Sequence, residues 1–178
     1  MMDTIKIELP FTREKLAVLH AGQKVLLSGT IYTARDQAHK RLAVTLLEGR
    51  RPPFNVKGSV IYYCGPAATP PGKAVGSCGP TTSSRMDVFT PLLLQGGMSA
   101  AIGKGKRSLS VARDFQKHKA VYFLTYAGCG ALLSRYVKKK NLTAYPDLGP
   151  EAIYAFEVED FPLIVCIDTH GRSIYDKG

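Results

Sequence analysis

The sequence predicts an α/β fold, and three observations carry that prediction. Short apolar segments with strand character alternate with segments of helical period along the chain. Glycine, proline and hydroxyl residues punctuate most of the changes from one to the other. The 178 residues, 45% apolar and 21% charged, match one globular domain over 1–178 that buries a core without staples. No run of 18 apolar residues occurs, so no transmembrane helix is expected. The opening MMDTIKIELPF lacks a long apolar stretch after a basic start and does not read as an export signal. The expectation is a cytoplasmic protein with reduced thiols.

Residues 4–9 alternate as a strand and end at Pro10. Thr12 suits the N-cap of a short helix over 13–20, closed by Gly22. Residues 24–32 read as a buried strand containing Gly29. In 33–49, Ala38, Leu42, Leu46 and Leu47 share one helical face, with Gly49 as the stop. The paired prolines of RRPPF make 50–54 a loop. A short strand over 60–63 runs into a long Gly/Pro segment, 64–87, of a kind more often functional than not. A helix is expected over about 83–95, bent or split by Pro91. A strand over 98–102, a basic turn, a helix over 111–119 and a strand over 121–126 follow. Gly128-Cys129-Gly130 is expected to open a helix over about 131–139, with Lys138-Lys139-Lys140 at its end, where the helix dipole favours cations. Two further strands are expected at 152–158 and 163–167.

The net charge of +10 favours an anionic partner without choosing among nucleic acid, an acidic protein and a small anion. The cluster Lys104, Lys106, Arg107, Arg113, Lys117 and Lys119, opposed only by Asp114, is what a basic nucleic-acid-binding module would rest on. The nine tyrosines are scattered and form no RNA-binding aromatic motif. Cys64, Cys78, Cys129 and Cys166 lie 14, 51 and 37 residues apart, with no CxxC pair, so a metal centre built by this chain alone is not expected.

Three segments concentrate polar chemistry: TARDQAHK (33–40), GPTTSSRMD (79–87) and IGKGKRS (102–108). Each follows a strand or its loop, where sites form in open α/β sheets. Arg35 falls in a first helical turn, where the dipole disfavours a cation, which points weakly to a ligand. His39 lies four residues on; a surface or core histidine is the plainer reading. In GPTTSSRMD, N-capping needs one hydroxyl, yet four stand beside Arg85, which can grip a carboxylate or phosphate in bidentate fashion. Lys104 sits between two glycines that leave the backbone open to a ligand, although GxxxxGK[ST] is absent. Asp36, Asp87 and Asp168 are acids without a legible partner.

Taken together, these residues resemble the C-terminal domain, or separate β subunit, of class I iron–sulfur fumarate hydratases and L-tartrate dehydratases. The resemblance rests on GTIYTARD (29–36) with AHKR (38–41), Tyr63-Cys64-Gly65-Pro66, Gly79-Pro80-Thr81-Thr82 with Arg85-Met86-Asp87, and Ile102-Gly103-Lys104-Gly105. It continues in Asp147-Leu148-Gly149, Glu151-Ala152, Val158 and Asp160-Phe161-Pro162, in that order, across about 20–176. It implies a swivelling β/β/α domain and reversible addition of water across the double bond of a small dicarboxylate. It implies a [4Fe–4S] cluster acting as Lewis acid and carried by a partner α subunit, with none bound by this chain, and an α2β2 assembly without nucleic acid or membrane. Fumarate hydration to L-malate is the leading activity; L-tartrate dehydration is the alternative, and mesaconate a further possible substrate. Arg35, Arg85 and Lys104 match substrate-binding positions. Thr81 matches the proposed base, Thr82 is retained beside it, and the role of His39 stays open. Cys129 departs from the pattern and reads as a small core residue.

Overall fold

The computed structural model describes residues 4–176. Four parallel strands run side by side in chain order: β1 (Ile5–Glu8), β2 (Lys24–Thr33), β3 (Val60–Tyr62) and β4 (Ala100–Gly103). β5 (Val121–Leu124) adds parallel to β4. The 15-residue β7 (Ile153–Ile167) is antiparallel to β5 on one side and to β2 on the other. β2, β3, β4, β5 and β7 therefore close into a ring, with β1 and β6 (Val137–Ala144) paired outside it on β2 and β7. The α/β expectation is met as a small mixed domain around a closed, barrel-like sheet.

Closure requires β2 and β7 to bend. The register between them slips at Leu27/Gly29, where Gly29 has φ of +122°, and a Cβ there would lie 2.7 Å from Leu9 Cβ. Opposite the slip, Asp160 adopts φ of +51° and its N–H donates to Ser28 Oγ at 3.0 Å. Such bulges raise local twist and let a long strand serve two neighbours.

The two-residue strand period divides the core into two layers. Val60, Tyr62, Ala100, Ile102, Val121 and Phe123 point into the barrel with Leu27, Ile31, Phe161 and Val165. Ile61, Tyr63, Ala101 and Tyr122 point outward, beneath α2 (Asp36–Leu47), α3 (Thr90–Gln95) and α4 (Leu109–Lys117). On α2, Ala38 and Leu42 supply the buried face, and Gly49 ends the helix at φ of +65°. At about 25 cal/mol per Å² of apolar surface, these layers are the main source of stability.

Three element predictions are corrected. The helix expected over 83–95 is split, as one of the two expected outcomes, but not at Pro91: a 3-10 turn over Ser83–Met86 precedes α3, and Pro91 lies in the first turn of α3, where its missing N–H costs nothing. The helix expected over 131–139 stops early: the short α5 (Gly130–Leu133) and a 3-10 turn lead into β6. Lys138-Lys139-Lys140 thus ends no helix; it lies on an outer strand, where lysines deter further strand pairing. The segments 152–158 and 163–167 are one strand, because Asp160 absorbs the irregularity between them. Near the start, α1 (Arg13–Ala17) is capped by Thr12, whose Oγ accepts from the Lys15 N–H.

Candidate active site

Arg35, Thr81, Arg85 and Lys104 come together at the C-terminal ends of β2, β3 and β4. The Ala34 N–H donates to Tyr62 O at 3.0 Å, which places Arg35 beside the end of β3. The Thr81 N–H donates to Tyr63 O at 2.7 Å. Thr82 pairs in parallel with Lys104, and the Ser83 N–H donates to Lys104 O at 3.1 Å. The segment 81–83 is therefore threaded between the extensions of β3 and β4. The long loop leading into it is anchored by Tyr62 Oη, which donates to Cys78 O at 2.5 Å, and by the Cys78 N–H, which donates to Gly130 O at 3.1 Å. Gly130 must be glycine, since a Cβ would lie 2.3 Å from Ser77 Oγ and 2.7 Å from the Gly79 nitrogen.

Two carboxylates orient the arginines. Asp36 takes Arg85 in bidentate fashion, Nε to Oδ1 at 3.1 Å and Nη2 to Oδ2 at 3.2 Å. Arg85 Nη2 also donates to Thr81 Oγ1 at 2.5 Å. Arg35 stands at the N-cap of α2 with Nη2 3.4 Å from Glu151 Oε1 and Nε 3.9 Å from Asp36 Oδ2. The other Glu151 oxygen accepts the Gln37 N–H at 3.1 Å, so this carboxylate also caps the helix. A Cβ on Gly65 would lie 2.9 Å from Arg35 Cδ, so that glycine makes room for the arginine shaft. Arg35 Nε is buried and has no hydrogen-bond acceptor. A buried, charged N–H without a partner is rare and costly, and it invites an anion.

The four hydroxyls do not cap. Thr82 heads the 3-10 turn without a side-chain cap bond and is exposed. Thr81 faces Arg85, and Ser83 is fully buried, its Oγ accepting the Lys104 N–H at 3.0 Å. Among the described residues no ion pair or side-chain hydrogen bond engages Lys104 Nζ.

His39 is neither exposed nor on the rim. Its Nδ1 lies 2.9 Å from Arg35 O, an oxygen that can only accept, so Nδ1 carries the proton and Nε2 is bare and unpartnered. The ring packs edge-on against Tyr63 and beside Phe89. Burial, outweighing the bond to Arg35 O, pulls its pKa down from 6.5 to about 4.

Other readings change with the structure. Arg107 is no part of a surface cluster: its side chain is 0% exposed, and Nε donates to Asp87 Oδ1 at 2.6 Å. Nη2 donates to Thr90 Oγ1 at 2.6 Å and Nη1 to Tyr63 Oη at 3.2 Å. The run 104–119 is accordingly not one basic face, and Asp87 has its partner. Asp168, also buried, accepts from the N–H groups of Ala21, His170 and Arg172. Cys129 is exposed and not a core residue, whereas Cys64, Cys78 and Cys166 are buried. Burial pushes the Cys78 and Cys166 thiols up to about 12. Sequence reasoning passed over Glu151 as an orienting group and Ser83 and Tyr122 as supports. Glu151 stood inside a family motif, so a signal existed; Tyr122 carried none.

The rim is open. Hollows of about 420 and 490 Å³ flank α2, and one of about 730 Å³ lies at the opposite pole, against Met98, Ser99 and Lys119. None of these three is lined by Arg35, Thr81, Arg85 or Lys104.

The chain is similar to known proteins along its whole length. The model of the family described as Fumarase C-terminus matches residues 1–178. Fumarate hydratase 2 of Leishmania major is 38% identical over 175 residues, covering 97% of this chain but 31% of that protein. The chain thus spans about a third of the fumarate hydratases it matches. The putative L(+)-tartrate dehydratase subunit beta of Methanocaldococcus jannaschii is 38% identical over 172 residues, covering 93% of this chain and 88% of that protein. L(+)-tartrate dehydratase subunit beta of Escherichia coli is 35% identical over 171 residues, covering 93% and 83%. With its whole length matched and its motif residues gathered on one rim, the chain belongs to the Fumarase C-terminus family.

Proposed function

We propose that this chain is the β subunit of a two-subunit hydro-lyase of the class I fumarate hydratase type, hydrating fumarate to L-malate reversibly. The single observation that carries the reading is the rim: two arginines and a lysine, one with a buried unsatisfied N–H, around a threonine hydroxyl. A dicarboxylate needs cations at both ends, and planar guanidinium groups suit bidentate carboxylate binding. Arg35, Arg85 and Lys104 hold the two carboxylates. Thr81 exchanges a proton with the substrate carbon, its oxyanion stabilised by Arg85 Nη2; a carboxylate facing it from the partner chain takes the hydroxyl proton. Closure against that chain excludes water and strengthens these interactions. The fold is read as the swivelling β/β/α type, one domain over 1–178 that meets its partner across this rim. A cytoplasmic location belongs to the same proposal.

A [4Fe–4S] cluster does not fit the residues of this chain. Three thiols are buried, Cys129 is exposed, and among the described residues no three His, Cys, Asp or Glu converge on a metal position. We assign the cluster to the α chain.

L(+)-tartrate is the second substrate reading, favoured by the relatives of matching length, which are named tartrate dehydratase beta subunits. Reconstitution with the α chain, followed by competition between fumarate, L-malate and L-tartrate, separates the two. The α2β2 assembly is checked on the same sample by light scattering. Thr81→Val should lower kcat about 10³-fold, within the range for a lost acid–base group. Wild-type turnover in that variant removes Thr81 from the chemistry.

A further inference from the structure

We propose that Ser83 and Tyr122 act as a positioning pair that presents Lys104 to the substrate carboxylate. The inference rests on the reading of Lys104 as a carboxylate-binding cation and adds two residues that never touch substrate.

Ser83 Oγ lies 3.0 Å from the Lys104 nitrogen and 2.8 Å from Tyr122 Oη, which in turn lies 2.8 Å from Gly105 O. Proton counting decides the directions. The Gly105 carbonyl can only accept, so the single Tyr122 O–H donates to it. The Ser83 O–H then donates to Tyr122 Oη, and a Ser83 lone pair accepts the Lys104 N–H. With this order every group is satisfied. The reverse leaves a carbonyl and a serine proton without partners.

Both supports are rigid. Ser83 and Tyr122 are each 0% exposed. Arg107 lies over the Tyr122 ring, 4.9 Å from its centroid, and is fixed by Asp87. Burial pushes the Tyr122 phenol up, so it stays a neutral donor. The Ser83 N–H also donates to Lys104 O, so both backbone groups of Lys104 end on one residue.

The glycines on either side of Lys104 gain a reason. A Cβ at Gly103 would fall 1.9 Å from Ser83 Oγ. Gly105, at φ of +82°, turns its carbonyl toward Tyr122, a conformation that side chains disfavour. The glycines expected to open the backbone to a ligand instead let it be clamped from below. A lysine has a long flexible shaft, so fixing its backbone lowers the ordering cost of binding and acts on substrate affinity.

The test uses the chain reconstituted with its α subunit, with fumarate as substrate. Tyr122→Phe and Ser83→Ala should each raise KM about tenfold and leave kcat within about threefold, the size expected for one buried hydrogen bond. The double variant should also stop near tenfold, because the chain of bonds acts as one unit. Lys104→Met serves as reference and should raise KM at least as much. If Lys104→Met impairs binding while both supports are silent, the positioning pair is wrong and the cation clamp stands. If Lys104→Met is itself silent, the clamp falls and this inference with it. Should the variants fail to fold, amide exchange in the unaltered chain decides: Lys104 should be protected like Ile102, and exchange as fast as in the exposed 68–73 segment overturns the proposal.

Discussion

Arg35 and Arg85 on the rim and Arg107 beneath it are the same side chain in opposite situations. Arg107 is 0% exposed, spends its donors on Asp87, Thr90 and Tyr63, and lies over the rings of Tyr63, Phe115 and Tyr122. Arg85 is 46% exposed and held by one carboxylate and one threonine, while Arg35 leaves a buried Nε unmatched. Where each nitrogen has an acceptor the group serves the fold. Where one is left over, beside other cations, the group is kept for something that arrives later. Satisfaction of hydrogen bonds, more than charge or exposure, separates scaffold from site in this molecule.

The largest effect should come from the floor. Arg107→Met leaves the largely buried Asp87 carboxylate with the Ser108 N–H but no cation, and should cost about 3–5 kcal/mol of stability in urea titration. Arg85→Met, on the rim, should cost less than about 1 kcal/mol. Equal losses would erase the distinction between the two regions.

His39 lies at the boundary of the two and should show as an acid-sensitive contribution. Its folded pKa is depressed from 6.5 to about 4, so the unfolded chain binds the proton first as pH falls. The stability is complete above about pH 6.5 and lost progressively down to about pH 4. At 1.36 kcal/mol per unit, the loss from this group reaches about 3 kcal/mol. His39→Asn should flatten that part of the stability–pH curve. An unchanged slope would place the protonation elsewhere.

On the rim the losses should appear in catalysis. Arg35→Ala and Arg85→Ala, each in the reconstituted complex, should lower kcat/KM about 10²-fold, equivalent to about 2.7 kcal/mol. Their melting temperatures should stay within a few degrees of the unaltered chain. The smallest effect belongs to the outer strand β6. Lys139→Gln should change stability by less than about 0.5 kcal/mol and leave turnover unaltered, as for an exposed residue on an outer strand.

Much of this was legible before the structure. The strand starts at 24, 60 and 121, a first strand within 4–9, the helical face through Ala38 and Leu42 and the long loop after Tyr63 follow from period and from Gly and Pro placement; Leu47, expected on that same face, is exposed. The rim residues followed from motif resemblance; Asp36 links Arg35 to Arg85, Arg85 meets Thr81, and Lys104 pairs with Thr82. Other features were hidden for identifiable reasons. Residues 131–140 carry good helix formers, yet from Val137 they pair with β7; contacts supplied by a distant segment overrode local preference. Arg107 looked like part of a basic turn because its partner Asp87 lies 20 residues away. Tyr122 looked like any strand aromatic because its hydroxyl partners, Ser83 and Gly105, come from two other segments.

The order of side chains along the chain determined the α/β class, the two-residue alternation that loads both faces of the sheet, and which cations and hydroxyls occur in motifs. These are local properties, set by backbone period and residue type. Ring closure through β7, the burial of Arg107, and the threading of 81–83 between β3 and β4 were decided only in three dimensions. Each depends on hydrogen bonds and charge pairs between segments remote in sequence. The free energy of such pairs is set by burial and mutual geometry, and neither exists until the chain has folded.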